Sequence, residues 1–366
     1  NGRSESVDRR TLLKTAAAGV AGASALSTAI AQASTGSPGF FVNLNQDAGE
    51  LSIYAWYQAW LEEVVPLFEE ETGIKVTNLG AYSANGEWWA RLNAGESFDF
   101  FIPTTEWMQR AMRADLLHEI DVEQIPNITN LFADFQANET YQQDGTTYAV
   151  PYSRLINGLT YNTNTFAEAP TSWDVAWDEQ YSGKITMQDA GYVRVGTTAL
   201  YLGDDPFNPT QWDEIADKLL EQKELVTKYW TDYQNGMEMF VNEEVLVGEL
   251  SDGRARMGKA SGGAIDWTVP EEGCLSFVDT LAIPHTAENP ENAHRFIDFL
   301  LQPEITVMQM ELLNYDTLNE AAFAELEPEV ASQFAAPEGA HLVVWEDLDP
   351  QVRDRMDELW TEILLS

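Results

Sequence analysis

The chain has 366 residues with 60 acids and 20 bases, so its formal charge is −40 at pH 7. So acidic a surface repels DNA and anionic lipid, which argues against nucleic acid as a partner. A hydrophobic content of 44% and an aromatic content of 11% exclude an intrinsically disordered protein and allow one or two domains with a large core.

The first 31 residues are predicted to be an export signal that is not part of the fold. DRRTLLK at 8–14 resembles a twin-arginine signal, an Ala/Gly-rich apolar run follows it, and A-I-A at 29–31 fits a cleavage site. This apolar run is short for a membrane span, and no later stretch holds 18 continuous apolar residues. Residues 32–49, rich in Ser, Gly and Asn, are predicted to be a linker.

Residues 51–79, LSIYAWYQAWLEEVVPLFEEETGIKVTNL, predict a strand, a helix and a second strand. Gly73 is typical of a residue that ends a helix. Such a unit pairs its strands in parallel, and ligands of parallel sheets sit beyond the carboxyl ends of the strands. We therefore expect Trp56 and Tyr57 at a binding edge.

The next unit is predicted to be a helix over 87–93 and an apolar strand over 98–103, which places Thr104, Thr105 and Glu106 at the same edge. Further along the chain, the patterns predict helices over 172–179, 213–228, 236–242, 292–301, 304–313 and 328–366, and strands over 156–162, 185–187, 245–250 and 274–284. The strands over 156–162 and 274–284 are interpreted as two chain crossings between two lobes joined by a hinge.

Several motifs together resemble one family. They are the aromatic strand that ends at Trp56, ETGIKV (71–76), the apolar strand that runs into Pro-Thr-Thr (103–105), PYSRLINGLTYNT (151–163), TSWDVAWDEQYSGKITMQDA (171–190), DTLAIP (279–284), ENAHRFIDFLLQPE (291–304) and LLNYDTLN (312–319). The chain is thereby similar to the periplasmic solute-binding proteins of ABC transporters, above all to the spermidine/putrescine-binding group. The resemblance implies an α/β, two-lobed periplasmic-binding-protein-like fold with a ligand cleft between the lobes.

The predicted boundaries follow from this resemblance and from the two crossings. Lobe 1 is expected to comprise residues 50–155 with 278–320, and lobe 2 residues 156–277 with 321–366. The implied function is capture of a small cationic, nitrogenous solute, a polyamine such as spermidine or putrescine, and its delivery to an ABC permease. We expect an exported monomer, in the periplasm or at the outer face of the cell membrane.

Aromatic faces and carboxylates at strand ends suit a cationic ligand, because rings attract cations and carboxylates pair with ammonium groups. By this criterion and by the family resemblance, the candidate ligand residues are Trp56, Tyr57, Thr104, Glu106, Asp189, Tyr192, Phe277, Asp279 and Tyr315. Asp279, directly before the T-L-A-I-P run, has the best-matching flanks.

Some positions depart from the family pattern. An aromatic residue of the family falls on Glu106, and the second acid after the Asp189 position falls on Tyr192. A tryptophan of the second lobe falls on Ser251, beside Asp252. Acids and aromatic residues have been exchanged, so a cationic ligand stays the expectation while its identity stays open: thiamine, a quaternary amine, an anion or a sugar are alternatives.

Enzymatic motifs are absent from the sequence. It has no G-x-S-x-G, H-E-x-x-H, P-loop or dinucleotide fingerprint, and its four histidines are isolated, with His294 predicted on the surface. The single cysteine, Cys274, excludes an intramolecular disulfide and a cysteine metal cluster. We expect no enzyme, no metal and no cofactor; an extracellular hydrolase that uses paired acids is the weaker alternative.

The acids are spread along the whole chain, which indicates a surface adapted to concentrated salt, as in halophiles, rather than a local field for one ligand. Stability should therefore rise with salt, since the Debye length shrinks from ~10 Å at 0.1 M to ~3 Å at 1 M and self-repulsion falls with it. Melting curves from about 0.1 to 3 M KCl would measure the effect. A flat or falling melting temperature would contradict the halophilic interpretation.

Overall fold

The computed structural model describes residues 49–56 and 58–366. The predicted signal and all but the last residue of the predicted linker lie outside the described residues, as does Tyr57. No helix over the described residues is long and apolar enough to cross a membrane.

Strands and helices alternate along most of the described chain. The strands are β1 (Glu50–Ala55), β2 (Lys75–Ala81), β3 (Gln142–Gln143), β4 (Thr146–Thr147), β5 (Ala149–Asn162), β6 (Ile185–Gln188), β7 (Val226–Trp230), β8 (Val247–Ser251), β9 (Ile265–Thr268), β10 (Cys274–Ala282), β11 (Asp316–Thr317) and β12 (Leu342–Val344). The helices are α1 (Gln58–Thr72), α2 (Asn85–Asn93), α3 (Thr105–Arg113), α4 (Ala133–Gln136), α5 (Gly191–Leu202), α6 (Trp212–Leu225), α7 (Tyr233–Val241), α8 (Asp252–Ala260), α9 (Pro290–Leu300), α10 (Pro303–Leu313), α11 (Glu320–Glu325), α12 (Pro328–Phe334) and α13 (Pro350–Leu365).

The first strand–helix–strand unit forms as the sequence predicts. β1 and β2 pair in parallel, with Leu51 opposite Val76, and α1 connects them. Gly73 ends α1 with φ +75°, and its N–H donates to the Glu69 carbonyl at 2.9 Å. Trp56 follows β1 directly and so stands at the carboxyl end of a parallel pair.

The predicted strand over 98–103 does not form as a regular strand, although its position is right. Phe100 bridges to Ile53 in parallel and Phe101 bridges to Ala282 in antiparallel fashion, as isolated pairs. The cause is Asp99, whose carboxylate accepts the Ser52 N–H at 2.7 Å. This side chain takes a donor that a continuous ladder would give to a backbone carbonyl.

The largest sheet is organised on β5, which runs without interruption for 14 residues. The strand order is β12-β10-β5-β8-β6-β7, and β9 and β11 also pair with β5. The first half of β5 pairs antiparallel with β10, from Ile156 opposite Ser276 to Ala149 opposite Ala282. Its second half pairs with β8 and β9. β5 and β10 are the two predicted crossings.

The buried apolar side chains divide near these crossings. One cluster joins residues of 51–152 with residues of 278–318, and includes Phe100 and Phe296. Three further clusters are built from residues between 156 and 275 and between 342 and 363. The exact lobe boundaries stay a prediction.

Three helix predictions need correction. The helix predicted over 213–228 ends at Leu225, because Lys228 belongs to β7 and pairs with Thr186 of β6. The segment predicted as helix over 172–179 forms two 3₁₀ turns. The C-terminal stretch 328–366 is not one helix, since β12 interrupts it by pairing in parallel with β10.

Two further helices, α3 and α5, lie where the sequence indicated only strand ends, beginning at Thr105 and Gly191. His294 is also not on the surface: it is 3% exposed, and its Nε2 accepts the Asp121 N–H at 2.9 Å. Its imidazole packs on the inner side of α9, the side that carries Phe296 and Ile297.

Gly248 of β8 is required by a close approach to β6. Its φ is +151°, and a Cβ there would lie 1.8 Å from the Thr186 carbonyl oxygen. Gly248→Ala should therefore lower the free energy of unfolding by about 3 kcal/mol or more, since backbone cannot yield as a flexible side chain can. Urea unfolding followed by circular dichroism would measure it.

The matched control is Gly86→Ala in α2, where a Cβ would meet nothing within 4 Å. Alanine favours helix, so this variant should be neutral or stabilised by up to about 1 kcal/mol. Equal unfolding midpoints for the two variants would contradict the described contact between β6 and β8.

Candidate functional site

The start of α3 is fixed against β10, and this contact assembles the candidate site. Thr104 forms an isolated antiparallel bridge with Asp279, and the Thr280 N–H donates to the Pro103 carbonyl at 2.8 Å. The Thr105 hydroxyl donates to the Val278 carbonyl at 3.2 Å. Residues 175 positions apart in sequence therefore come together, although Asp279 lies within β10 and not at a strand end as expected.

Glu106, in the first turn of α3, is a buried acid that is 6% exposed. Its Oε1 accepts the Thr104 hydroxyl at 2.7 Å, while Oε2 has no hydrogen-bond partner among the residues that the structure describes. Burial raises the pKa of the Glu106 carboxyl to about 7, although the Thr104 hydrogen bond opposes the shift. The side chain is thus poised between its neutral and charged forms.

Asp279 is half-buried and, like Glu106, is an acid with a raised pKa. Its Oδ2 accepts the Ser153 hydroxyl at 3.3 Å, across the β5–β10 ladder. Burial raises the pKa of Asp279 to about 7, and the charge of Glu106 adds to the rise. The two carboxyls therefore lie within each other's field, and neither is matched by a salt bridge in the described part of the chain.

Aromatic rings stand beside this acid pair on the β1 side. The half-buried Trp56 ring packs edge-on against Tyr82, with centroids 4.3 Å apart. The Tyr82 hydroxyl donates to the Ile102 carbonyl at 2.6 Å, and burial together with the Asp279 charge raises the Tyr82 pKa. Tyr82 was not predicted, although it directly follows β2, which is the same signal that identified Trp56.

A second group of rings comes from α5, β10 and the segment after β12. Tyr192 lies 6.2 Å from Phe277 and 5.5 Å from Trp345, measured between ring centroids. Burial raises the pKa of Tyr192, and the Glu106 charge raises it further, so this phenol is near the acid pair. The structure brings together the predicted Tyr192, Phe277 and Glu106, and adds Trp345.

A third group surrounds Tyr315, which is 5% exposed. Burial raises the pKa of Tyr233, and electrostatic interaction with the nearby Tyr315 and Asp279 raises it further. Its side chain hydrogen-bonds with Gln188 and Asn157, whose amides are joined at 2.8 Å. Sequence reasoning missed Tyr233, Gln188 and Asn157. Asn157 lies on a predicted strand and Gln188 directly follows one, so their amides could have been noted.

Asp189 is the predicted ligand residue with the least support. Its Oδ1 accepts the Trp360 indole N–H from α13 at 2.8 Å, and its own N–H donates to the Trp230 carbonyl. One carboxylate oxygen is thus occupied by a protein donor before any ligand arrives. Tyr57 lies outside the described residues.

Comparison with known proteins identifies the family. Residues 63–338, more than half of the chain, match the profile of the bacterial extracellular solute-binding proteins. The chain belongs to this family. It is a transport protein rather than an enzyme, it is exported, and it works with a membrane permease.

Two curated relatives have names that state a ligand. The chain is 29% identical over 304 residues to spermidine/putrescine-binding periplasmic protein 1 of Haemophilus influenzae, covering 81% of this chain and 83% of that one. It is 28% identical over 340 residues to the putrescine/cadaverine-binding protein of Pseudomonas aeruginosa, covering 87% and 94%.

The fold agrees with solved structures. The spermidine/putrescine ABC transporter substrate-binding protein PotD of Streptococcus pneumoniae matches with a TM-score of 0.79 and 25% identity, over 87% of this chain and 99% of that one. The putative spermidine/putrescine ABC transporter protein of Listeria monocytogenes gives 0.74 and 25%, over 86% and 99%. The α/β, two-lobed fold predicted from the sequence is therefore confirmed.

In this solute-binding protein, two of the arginines that an anionic ligand would need are already paired. The Nε of Arg154 donates to Asp316 Oδ2 at 2.9 Å. Arg194 of α5 forms a salt bridge with Glu249 of β8, and both side chains are fully buried. Both guanidinium charges are neutralised by carboxylates of the protein, which weakens the alternative of an anionic ligand.

A carboxylate outside the acid pair ties α3 to the segment before α13. Asp347, 5% exposed, accepts the Arg110 Nε at 2.6 Å, binds Arg113 and lies 3.4 Å from Arg353. Its N–H donates to the Gln109 side-chain oxygen at 2.7 Å. We name this group the Asp347 clasp.

Asp347→Asn should lower the free energy of unfolding by about 1–3 kcal/mol, because three guanidinium groups lose their shared carboxylate. The matched control is Glu346→Gln, since Glu346 makes only long contacts, at 3.5 Å to Gln109 and 3.4 Å to Thr140, which an amide preserves. The control should change stability by less than about 0.5 kcal/mol in the same urea titration. If the two variants unfold alike, the clasp contributes nothing to stability.

Proposed function

We propose that this solute-binding protein captures a small cationic amine between its lobes, in the polyamine class, and delivers it to its permease. Named relatives bind spermidine, putrescine and cadaverine, which are amines of this class. The ligand residues in this proposal are Trp56, Tyr57, Thr104, Glu106, Tyr192, Phe277, Asp279 and Tyr315, with Asp189 at the margin.

The proposal rests mainly on two neighbouring acids, Glu106 and Asp279. Neither forms a salt bridge within the described part of the chain. Other buried acids are compensated by the fold: Asp316 pairs with Arg154, Glu249 pairs with Arg194, and Asp99 accepts backbone N–H groups. Glu106 and Asp279 lack such compensation in the described chain, and both have a pKa of about 7. A dication would supply the missing charge, since an ammonium group favours the ionised carboxylate.

The aromatic rings suit the rest of such a ligand. Methylene chains between amines are apolar, and flat rings such as Trp56, Tyr192 and Phe277 can pack on them. The same ring faces attract ammonium groups by roughly 0.5–2 kcal/mol once water is excluded. Rings and acids together therefore provide both the fit and the charge that an alkyl amine requires.

Closure of the lobes would complete the site. In our proposal lobe 1 is 50–155 with 278–320 and lobe 2 is 156–277 with 321–366, joined at β5 and β10. Glu106 then lies in lobe 1 and Tyr192 in lobe 2, and the Asp347 clasp joins the two. A hinge of this kind bends without repacking either core, and a permease can recognise the closed form.

We further propose that the protein acts as a monomer and does not bind nucleic acid.

The acid pair predicts how affinity depends on pH. Glu106 and Asp279 have a raised pKa of about 7 in the unliganded protein, so below that pH a cation must displace protons in order to bind. Affinity for putrescine should rise with pH between about 6 and 8, by up to tenfold per unit for each proton released, and level off above. Calorimetric titrations at several pH values, in buffers of different ionisation enthalpy, would count the protons.

Asp279→Asn keeps the shape of the side chain and removes its charge. It should weaken putrescine binding by roughly 10- to 100-fold and reduce the proton count by one. Glu224→Gln on the exposed side of α6 removes an equal charge far from the acid pair and serves as the control. Unchanged affinity in Asp279→Asn would refute the cationic ligand at its best-supported residue.

A further inference from the structure

The hydroxyl of Thr104 does not have the partner that its position in the chain predicts. Thr104 directly precedes α3, with φ −72° and ψ 157°, and a threonine there usually accepts an N–H from the first turn of its helix. That cap does not form, and the hydroxyl donates instead to Glu106 Oε1 at 2.7 Å. The direction of this hydroxyl is set from outside α3.

The side chain that sets it is Asn85, the first residue of α2. Its Nδ2 donates to the Thr104 hydroxyl oxygen at 3.0 Å, and its Oδ1 accepts the Thr104 N–H at 3.4 Å. Asn85 Oδ1 also accepts the indole N–H of Trp88 at 2.9 Å. We name this series of hydrogen bonds, from Trp88 through Asn85 and Thr104 to Glu106, the Asn85 relay.

Trp88 determines the direction in which the Asn85 relay runs. An indole N–H can only donate, so the amide atom of Asn85 that faces it has to be the oxygen. The amide nitrogen then faces Thr104, and since it can only donate, the hydroxyl oxygen accepts from it. The single hydrogen of that hydroxyl is left for Glu106. Trp88 is 0% exposed and its ring centroid lies 4.8 Å from that of Phe101, so the first donor is held in place by packing.

A hydroxyl that is fixed as a donor favours the ionised form of Glu106. A hydrogen bond to a charged acceptor is stronger than one to a neutral acid, so donation opposes the rise in the Glu106 pKa that burial causes. A hydroxyl that could turn would also accept from the protonated acid, and this preference would be lost. The second oxygen, Oε2, has no partner in the described part of the chain.

We propose that Asn85 is a positioning residue, which fixes the Thr104 hydroxyl as a donor to Glu106 and so keeps the outer carboxylate oxygen charged and open to a cation. Asn85 acts through Thr104 and does not itself contact the solute. The consequence for binding rests on the proposed function. The direction of the Asn85 relay is a property of the unliganded protein and is tested without a ligand.

The first test follows the carboxyl signal of Glu106 by nuclear magnetic resonance, in protein isotope-labelled at the glutamate carboxyl carbons. Glu106→Gln identifies the signal by its loss. Asn85→Ala should raise the pKa of Glu106 from about 7 to about 8, because the released hydroxyl no longer favours the ionised form. The other charged and titratable groups around Glu106 are the same in this variant: Arg110, Asp347, Asp279 and Tyr192.

A double-mutant cycle separates the Asn85 relay from a general loss of structure. Thr104→Val keeps the shape of the side chain and removes the hydroxyl, so it should raise the Glu106 pKa at least as much. In the Thr104→Val background, Asn85→Ala should have no further effect, because its route to Glu106 is gone. The matched control is Asn93→Ala, since Asn93 is an exposed asparagine of α2 that donates only to the Trp89 carbonyl. It should leave the pKa unchanged.

The second test measures putrescine binding by calorimetry between about pH 6 and 9. Asn85→Ala should weaken binding about fivefold near pH 7 and leave it within about twofold of the parent near pH 9, where Glu106 is ionised in both proteins. A purely structural role of Asn85 would weaken binding equally at every pH.

An unchanged Glu106 pKa in Asn85→Ala would overturn the proposal, as would a full effect of this change in the Thr104→Val background. Losses of affinity that are equal at every pH would overturn the role of Asn85 in binding. If putrescine does not bind the parent at any pH, the proposed function fails, and the carboxyl titration still decides the direction of the Asn85 relay. Asn85→Ser, with the same expected rise in pKa, replaces the alanine variant if that variant does not fold.

Discussion

The antiparallel pairing of β5 with β10 is the constraint on which the site depends. Its register places Asp279 opposite Ser153 and Phe277 opposite Leu155, and β11 joins the same strand by pairing Asp316 with Arg154. The start of α3 then attaches to β10 at Asp279. A slip of one residue would turn every side chain of β10 to the opposite face, so the site cannot form in any other register.

The acids of this protein fall into two groups that are distinguished by their partners. Asp316 and Glu249 are buried with an arginine each, and Asp99 accepts the N–H groups of Ser52, Glu288 and Asn289. These carboxylates are satisfied by the fold itself. Glu106, which is buried, and Asp279, which is half-buried, lack such compensation, and burial raises the pKa of both. Burial of an uncompensated acid is costly and is typical of functional sites.

Much of the fold could be predicted because its signals are local. A short apolar and aromatic run, helical spacing and Gly73 located β1, α1 and β2, and longer apolar runs located β5 and β10. The predicted strand over 98–103 became two isolated bridges, because a side chain from within it, Asp99, takes a backbone donor of β1. β12 was missed since its three residues become a strand only by pairing with β10.

Part of the candidate site could be predicted, and its role in ligand binding stays a prediction. Expected strand ends and the family resemblance identified Asp279, Glu106, Tyr192, Phe277 and Trp56, although Asp279 and Phe277 lie within β10. Trp345 could not be found in this way, because it comes from the C-terminal segment and lies beside β10 only through the pairing of β12, where its N–H donates to the Ser276 carbonyl at 2.8 Å. His294 was misjudged for a related reason: the polar neighbour Arg295 suggested an exposed helix, whereas the imidazole lies on its buried side.

The buried salt bridge between Arg194 and Glu249 limits how α5 can move. Arg194 is two residues after Tyr192 in α5, and its buried salt bridge fixes this helix to β8. Removing one partner of a buried ion pair costs roughly 3–5 kcal/mol, so the pair holds α5 firmly against β8, and we expect the two elements to move together. Under the proposed function, a solute bound beside Tyr192 would be released when the two lobes part as rigid bodies, so its residence time would depend on the rate of that opening.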